Sequence, residues 1–361
     1  MDTIATDGIT LVFNRDGGII DELTIDTADG PLRPLHKAPW VRTGEQLPAH
    51  VAPVETRLAG DFFCAPFGAS APDVPIHGWS ANGNWNNCGQ SKNSDGSLTA
   101  RYRLEQSVHG AAVSKEITLV PGQPIVYQRH VFTGGSGHIP IAHHAMIRVP
   151  GGAQLSFSPK AFGRTPLGAP ETDPARGNST LAYPQTFASL KEVKLRDGRT
   201  VNASHYPFDH DHEDLVVLAE APGAKLGWSA AVAIADGFVF FAVKDAARLP
   251  ETILWMSNGG RSYSPWNSRH RAVIGIEEAA TSMHVTGDLG GAAPTSDAGL
   301  ATGLTLGGEN EIRYAFGAIA VPSGWSKIRN IKATGDQLVL RDVGGGSVTL
   351  PFAGGHFAGL I

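Results

Sequence analysis

The spacing of strand and turn signals constrains this chain most. Short β-branched and aromatic runs recur at Ile9–Asn14, Gly18–Ile25, Ala111–Val120, Ile125–Phe132, His138–Val149, Leu215–Leu218, Trp228–Ile234, Gly237–Val243, Arg271–Glu277, Glu311–Ala320 and Gln337–Val343. Between them stand Asp16-Gly17, Pro121-Gly122, Gly134-Gly135, Asp197-Gly198, Asp236-Gly237, Gly335-Asp336 and Gly344-Gly345-Gly346. Each pair supplies a residue that accepts the positive φ of a tight turn. Helical periodicity is nearly absent, and no repeat of fixed period interrupts the pattern. With 361 residues and 42% hydrophobic content the chain can bury a large core, so one antiparallel, all-β sandwich over residues 1–361 is expected rather than two domains. Pro159–Thr180 and Gly287–Gly307 read as polar, Gly- and Pro-rich loops within it.

Charge and termini narrow the partners. A formal charge of −5, with no run of Lys and Arg to track a phosphate backbone, argues against nucleic acid. The start Met1–Asp7 has neither the basic nor the apolar part of a signal peptide, and no apolar run reaches the roughly 18 residues of a membrane span. A cytoplasmic location without membrane attachment is expected. Cys64 and Cys88 then read as free thiols, and two cysteines are too few for a metal framework.

Three segments carry chemistry. His77-Gly78-Trp79-Ser80-Ala81-Asn82-Gly83-Asn84-Trp85 sets an imidazole, carboxamides and two indoles among flexible glycines. Indoles stack on the C–H face of a pyranose while imidazole and amide groups bond its hydroxyls, so a sugar-binding loop is one reading and a core-plugging turn the other. In the run Ile141–Val149, alternation puts His144 on the side of Ala142, Met146 and Arg148, and His143 on the opposite side. In Arg271–Ala279, Glu277 shares a face with Val273, Gly275 and Ala279, small neighbours that leave room for a partly desolvated carboxylate able to act as a general base. Upstream, Leu254–His270 adds a loop rich in aromatics, amides and guanidinium groups, including Trp255. Arg148, Arg261, Arg269 and Arg271 are the candidates for a phosphate clamp. The stretch Phe208-Asp209-His210-Asp211-His212-Glu213-Asp214 is open to sugar binding, a solvated acidic loop or a divalent cation.

Taken in order, these segments resemble the galactose mutarotase-like superfamily of aldose 1-epimerases and hexose-6-phosphate mutarotases. Gly17-Gly18-Ile19-Ile20-Asp21-Glu22-Leu23 looks like its amino-terminal strand, and Pro66-Phe67-Gly68 like its Pro-Phe-Gly segment. His77-Gly78 with Asn82 and Trp85 resembles its His-Gly substrate loop. His143-His144-Ala145-Met146-Ile147-Arg148-Val149 resembles the strand that bears the general acid, here His144. Phe208-Asp209-His210 is similar to a substrate-binding segment, with Asp214 as an alternative, and Trp255 with Asn258 to a Trp-Asn-Pro segment. Ile276-Glu277-Glu278-Ala279 resembles a Val-Glu-Pro-Ala motif, placing the general base on Glu277. Ala145-Met146-Ile147 replaces an aromatic pair, Glu278 replaces proline, and the arginine that many aldose epimerases carry before the His-Gly loop has no counterpart identified here. The resemblance implies an antiparallel β-supersandwich that interconverts anomers of a small sugar or sugar phosphate by acid–base ring opening, without cofactor or metal. A silent sugar-binding protein of the same fold is the alternative, and a polysaccharide-acting enzyme a third.

Overall fold

The computed structural model describes residues 1–69, 72–289, 295–296 and 299–361. Two large sheets face each other. The first has seven strands, in the order Thr186–Phe187, Lys160–Arg164, His212–Glu220, Glu251–Asn258, Val273–Ala280, Ile141–Arg148 and Phe63–Cys64. The second has nine, from His205–Tyr206 through Ala153–Phe157, Leu226–Ala233, Phe238–Asp245, Glu309–Ala320, Ile125–Gly134, Ala111–Leu119 and Leu98–Leu104 to Trp85–Lys92. Neighbouring strands run antiparallel, as in the pairs of Ile141–Arg148 with Val273–Ala280 and Val273–Ala280 with Glu251–Asn258. This is an all-β supersandwich. Among the described residues no helix is long and apolar enough to cross a membrane.

Three apolar layers hold the sheets. Between them, Ala145, Ile147, Leu254, Met256, Ile274 and Ile276 meet Phe132, Phe240, Tyr314 and Phe316. The outer face of the nine-stranded sheet packs Trp228, Val239 and Phe241 against Trp325, Leu338, Leu340 and Leu350, and a carboxy-terminal sheet of three strands (Ile328–Thr334, Gln337–Asp342 and Ser347–Pro351) supplies the last three of those. The outer face of the seven-stranded sheet presents Ala142, Met146, Ile253, Trp255, Val273 and Ala279 to a cover built from Trp40, Val54, Leu58, Phe62, Phe67 and Trp266. Its central strands are therefore buried on both faces, which is why Ile141–Val149 and Val273–Ala280 read as nearly continuous apolar runs. His144 does not face a wet side: it is 5% exposed and His143 fully buried.

Between the sheets lies an ionic cluster. The ammonium of Lys244 sits 2.5 Å from Glu278 and 3.2 Å from Glu220, all three without side-chain exposure, and Lys160 joins through Glu220. Thr252 and Ser229 donate to the two oxygens of Glu278.

Most expected runs are strands within a residue or two, but the first residues of the expected Leu254–His270 loop belong to the strand Glu251–Asn258, central in the site-bearing sheet. Trp85–Lys92, rich in Asn, Ser and Gly, is an edge strand whose low β-propensity hides it. Residues 290–294 and 297–298 of the expected Gly287–Gly307 loop lie outside the described residues. Cys64 is buried and Cys88 exposed, both unpaired.

Candidate functional site

Cross-strand register builds the centre of the site. His144 lies directly opposite Glu277, side by side on the outer face of the seven-stranded sheet, with Nε2 3.2 Å from Oε1. Gly275, two residues before Glu277 and opposite Trp255, provides the space: a Cβ there would stand 2.9 Å from Glu277 Oε1 and 3.2 Å from Trp255 Cβ. The His144 ring stacks on Phe62 at 4.6 Å between centroids and meets Trp255 edge-on at 5.7 Å.

His77 arrives from a different direction. It takes φ +67°, and Gly78 follows at φ +72°, where a Cβ would fall 2.0 Å from the carbonyl oxygen of Ala65, so only glycine fits beside that backbone. The His77 amide donates to Gly68 O at 2.9 Å, and the Gly68 amide donates back to His77 Nδ1 at 3.3 Å. An accepting Nδ1 leaves the proton on Nε2, so His77 is a donor towards the site. Its ring stands 5.4 Å from that of His144.

A cavity of about 240 Å³ opens over these groups, lined by His77, His144, Glu277, Glu55, Arg261, Trp255 and Trp266 together with aliphatic side chains from Val54 to Leu289. Burial alone drives the Glu277 carboxyl well above the usual carboxylate range. Burial, reinforced by His77, drives His144 well below the ordinary imidazole value, and burial lowers His77 to about 4. Both shifts favour the neutral forms of the His144–Glu277 pair over an imidazolium–carboxylate pair. Among the described residues no cluster of three metal-ligating side chains is present.

Not every expected residue reaches the cavity. Trp85 is fully buried in the inter-sheet core, its indole donating to Ser80 O at 3.0 Å and filling the space that Gly18 leaves by lacking a Cβ. Its proximity to His77 in sequence is undone by the intervening turn Trp79–Ala81. Asn82 is a brace: it accepts from Val54 N at 2.8 Å and donates to Ile76 O and Gly78 O. Asp209 lies outside the cavity, its carboxylate accepting from His210 N and its carbonyl from Asn258 Nδ2. Asp214 is turned inward and bound to Thr180, Leu181, Tyr183 and His212. The acidic segment therefore fixes loops, with Asp211 held by Arg271 at 2.6 Å. Of the four arginines only Arg261 lines the cavity; Arg269 is clamped by Glu45 at the surface. Glu278 points away from the site.

Four contributors were missed. Trp266 supplies the second indole that Trp85 does not. Glu213, on the face of Leu215, receives the indole N–H of Trp255, accepts from Ser257 at 2.8 Å and lies 3.4 Å from Arg261. Burial raises its carboxyl, against the pull of Arg261. Glu171 holds Arg261 at 3.1 Å, and Glu55 faces the cavity with a carboxyl raised by burial. Alternation from Leu215 picks out Glu213; nothing local in the sequence marks Glu55 or Glu171.

No protein-family model matches the chain, and no curated protein matches it. Solved structures do. A galactose mutarotase related enzyme from Lactobacillus acidophilus superposes with a TM-score of 0.54 at 11% identity, covering 89% of this chain and 98% of its own. An aldose 1-epimerase candidate from Escherichia coli K12 gives 0.54 at 12% identity, over 88% and 98%. A TPR-domain containing protein from Parabacteroides distasonis gives 0.52 at 12% identity, with 48% of that longer chain covered. The architecture, the two-sheet topology and these superpositions together make this a chain of galactose mutarotase-like fold.

Proposed function

We propose that the protein is a mutarotase, opening and reclosing the hemiacetal ring of a small aldose. The observation that carries this reading is the His144–Glu277 pair, 3.2 Å apart on adjacent strands, with His77 beside it in a cavity of about 240 Å³. That volume lies below the roughly 300–1,000 Å³ of drug-sized ligand sites, which fits one sugar ring.

Anomer exchange needs one proton donor for the ring oxygen and one acceptor for the proton of the anomeric hydroxyl. Burial raises the Glu277 carboxyl and lowers the His144 imidazole, which favours the proton on Glu277. Glu277 then donates while the His144 imidazole accepts. A carboxylate–imidazolium pair, with His144 as acid and Glu277 as base, has the same proton count and differs only by transfer across the contact, so either form starts the same cycle. As the C1–O5 bond breaks, the C1 hydroxyl becomes the carbonyl and O5 becomes a hydroxyl. Rotation about C1–C2 exposes the other carbonyl face, O5 re-attacks, and both protons return. Trp255 and Trp266 offer faces for the sugar C–H bonds, and His77 Nε2 a hydrogen bond to a hydroxyl. No oxidant or group carrier is consumed, so positioning and two matched proton carriers supply the acceleration.

Saturation-exchange NMR across an aldose panel tests this: signal transferred between α and β anomers faster than in buffer supports it. Binding without exchange, at any pH, favours a silent sugar-binding protein.

A further inference from the structure

We infer that the protein carries a second ligand site, a cationic groove at the edges of the two sheets that takes a small organic phosphate, one phosphate group on a flat apolar body. The groove shares no lining residue with the cavity at His144 and does not depend on the mutarotase reading.

Edge geometry opens the groove. In the nine-stranded sheet, His205–Tyr206 pairs with Ala153–Phe157 only through Ala153 and Gln154, so the rest of that strand has no ladder partner on its outer side. The Leu155 amide donates outward to Ser204 O at 2.8 Å, and alternation turns the Phe157 amide to the same open side. Lys160–Arg164 and Thr186–Phe187, at the edge of the seven-stranded sheet, form the facing wall, while Lys327, Ile328 and Arg329 close a third side around a volume of about 410 Å³. Phe157, Phe162, Phe187 and Trp228 offer ring surface to an apolar body.

The polar lining is cationic. Lys160, Lys191, Lys327 and Arg329 converge on the groove in a chain of formal charge −5, and among the described residues none that lines it is Asp or Glu. Lys160 is bonded to Glu220 and Thr252, which leaves one of its three N–H groups. Lys191, Lys327 and Arg329 have no ion-pair partner among the described residues. The nearby Asp342 carboxylate is occupied by the amides of Ser326, Lys327 and Gly344. Burial and the like charge of Lys191 hold Lys327 below the ordinary lysine value, a repulsion that a bound anion relieves. Ser156 also lines the groove, 5% exposed, and its Oγ has no hydrogen-bond partner in the protein. Three unpaired cations with hydroxyl and amide donors exceed what a carboxylate uses and match the three oxygens and nearly double charge of a phosphate monoester.

Calorimetric titration of the whole protein with phenyl phosphate tests this, with benzyl alcohol, benzoate and inorganic phosphate as controls that each lack one part of the ligand. Phenyl phosphate should bind, and each control about tenfold more weakly or worse. Lys327→Gln combined with Arg329→Gln should weaken phenyl phosphate about tenfold, and Lys191→Gln, on a separate segment, about threefold or more, with sugar binding and anomer exchange unchanged. No binding of phenyl phosphate, equal binding of any control, affinity unchanged in these variants, or displacement of phenyl phosphate by a sugar bound at His144 overturns the second site and leaves the mutarotase reading untouched.

Discussion

Two adjacent glutamates should give opposite phenotypes. Glu277 lies in the cavity against His144, whereas Glu278 lies between the sheets, 2.5 Å from the buried Lys244 ammonium. Removing one partner of a buried ion pair costs about 3–5 kcal/mol because the other charge is stranded. In Glu278→Gln, Lys244 keeps Glu220 at 3.2 Å and the Glu251 carbonyl at 2.6 Å, but Glu220 is then shared by two ammonium groups. The cost should fall near the lower bound, about 3 kcal/mol, which in a chain of this size lowers Tm by roughly 4 °C. Glu277→Gln keeps the side-chain shape and replaces a carboxyl that burial pushes towards its protonated form, so Tm should not fall. It removes an acid–base group instead, and kcat should drop by about 10²–10⁴, equivalent to roughly 3–5 kcal/mol of barrier. Thermal unfolding by circular dichroism and anomer exchange by NMR read the two effects separately. A Glu278→Gln protein of unchanged Tm with lost exchange, or a Glu277→Gln protein that still exchanges normally, would refute the opposed-face assignment.

The pH profile should be a broad bell whose acid limb lies well below 6.5 and whose alkaline limb lies well above 4.5, since burial lowers His144 and raises Glu277; a limb at either ordinary value would contradict the desolvated site. The same shift has a stability sign: a carboxyl raised on folding favours the native state fully below its unfolded value of about 4.5, and this contribution is lost as pH climbs through the folded value. The Tm difference between Glu277→Gln and wild type should therefore grow in the variant's favour as pH rises. Gly275→Ala puts a Cβ 2.9 Å from Glu277 Oε1 and should displace the carboxyl by a few tenths of an ångström, lowering kcat/KM about tenfold with little change in fold by circular dichroism. His77→Asn should raise KM roughly tenfold with a smaller effect on kcat, because a hydroxyl contact acts in the ground and transition states alike.

The parts of the site written in strand periodicity were legible. Alternation placed His144 and Glu277 on opposite sides from His143 and Glu278, and the small residue at Gly275 marked room beside the carboxyl. The parts set by turns were not. Trp85 looked like a ligand-stacking residue because it stands eight positions from His77, yet the turn at Trp79–Ala81 delivers it to the core against Gly18. Asp209 and Asp214 left the register of the acidic segment ambiguous, and the residue on the site-facing side is Glu213, between them. Glu251–Asn258 was obscured by the Gly259-Gly260 pair that ends it and by the polar loop that follows.

The most direct test of the central claim is anomer exchange measured by saturation-transfer NMR on the wild-type protein, His144→Asn and Glu277→Gln, with sugar binding followed in the same samples. The account predicts exchange above the buffer rate for the wild type and loss of that excess in both variants while each still binds sugar. Wild-type protein that binds sugar yet exchanges no anomers, or exchange that survives both substitutions, would contradict it.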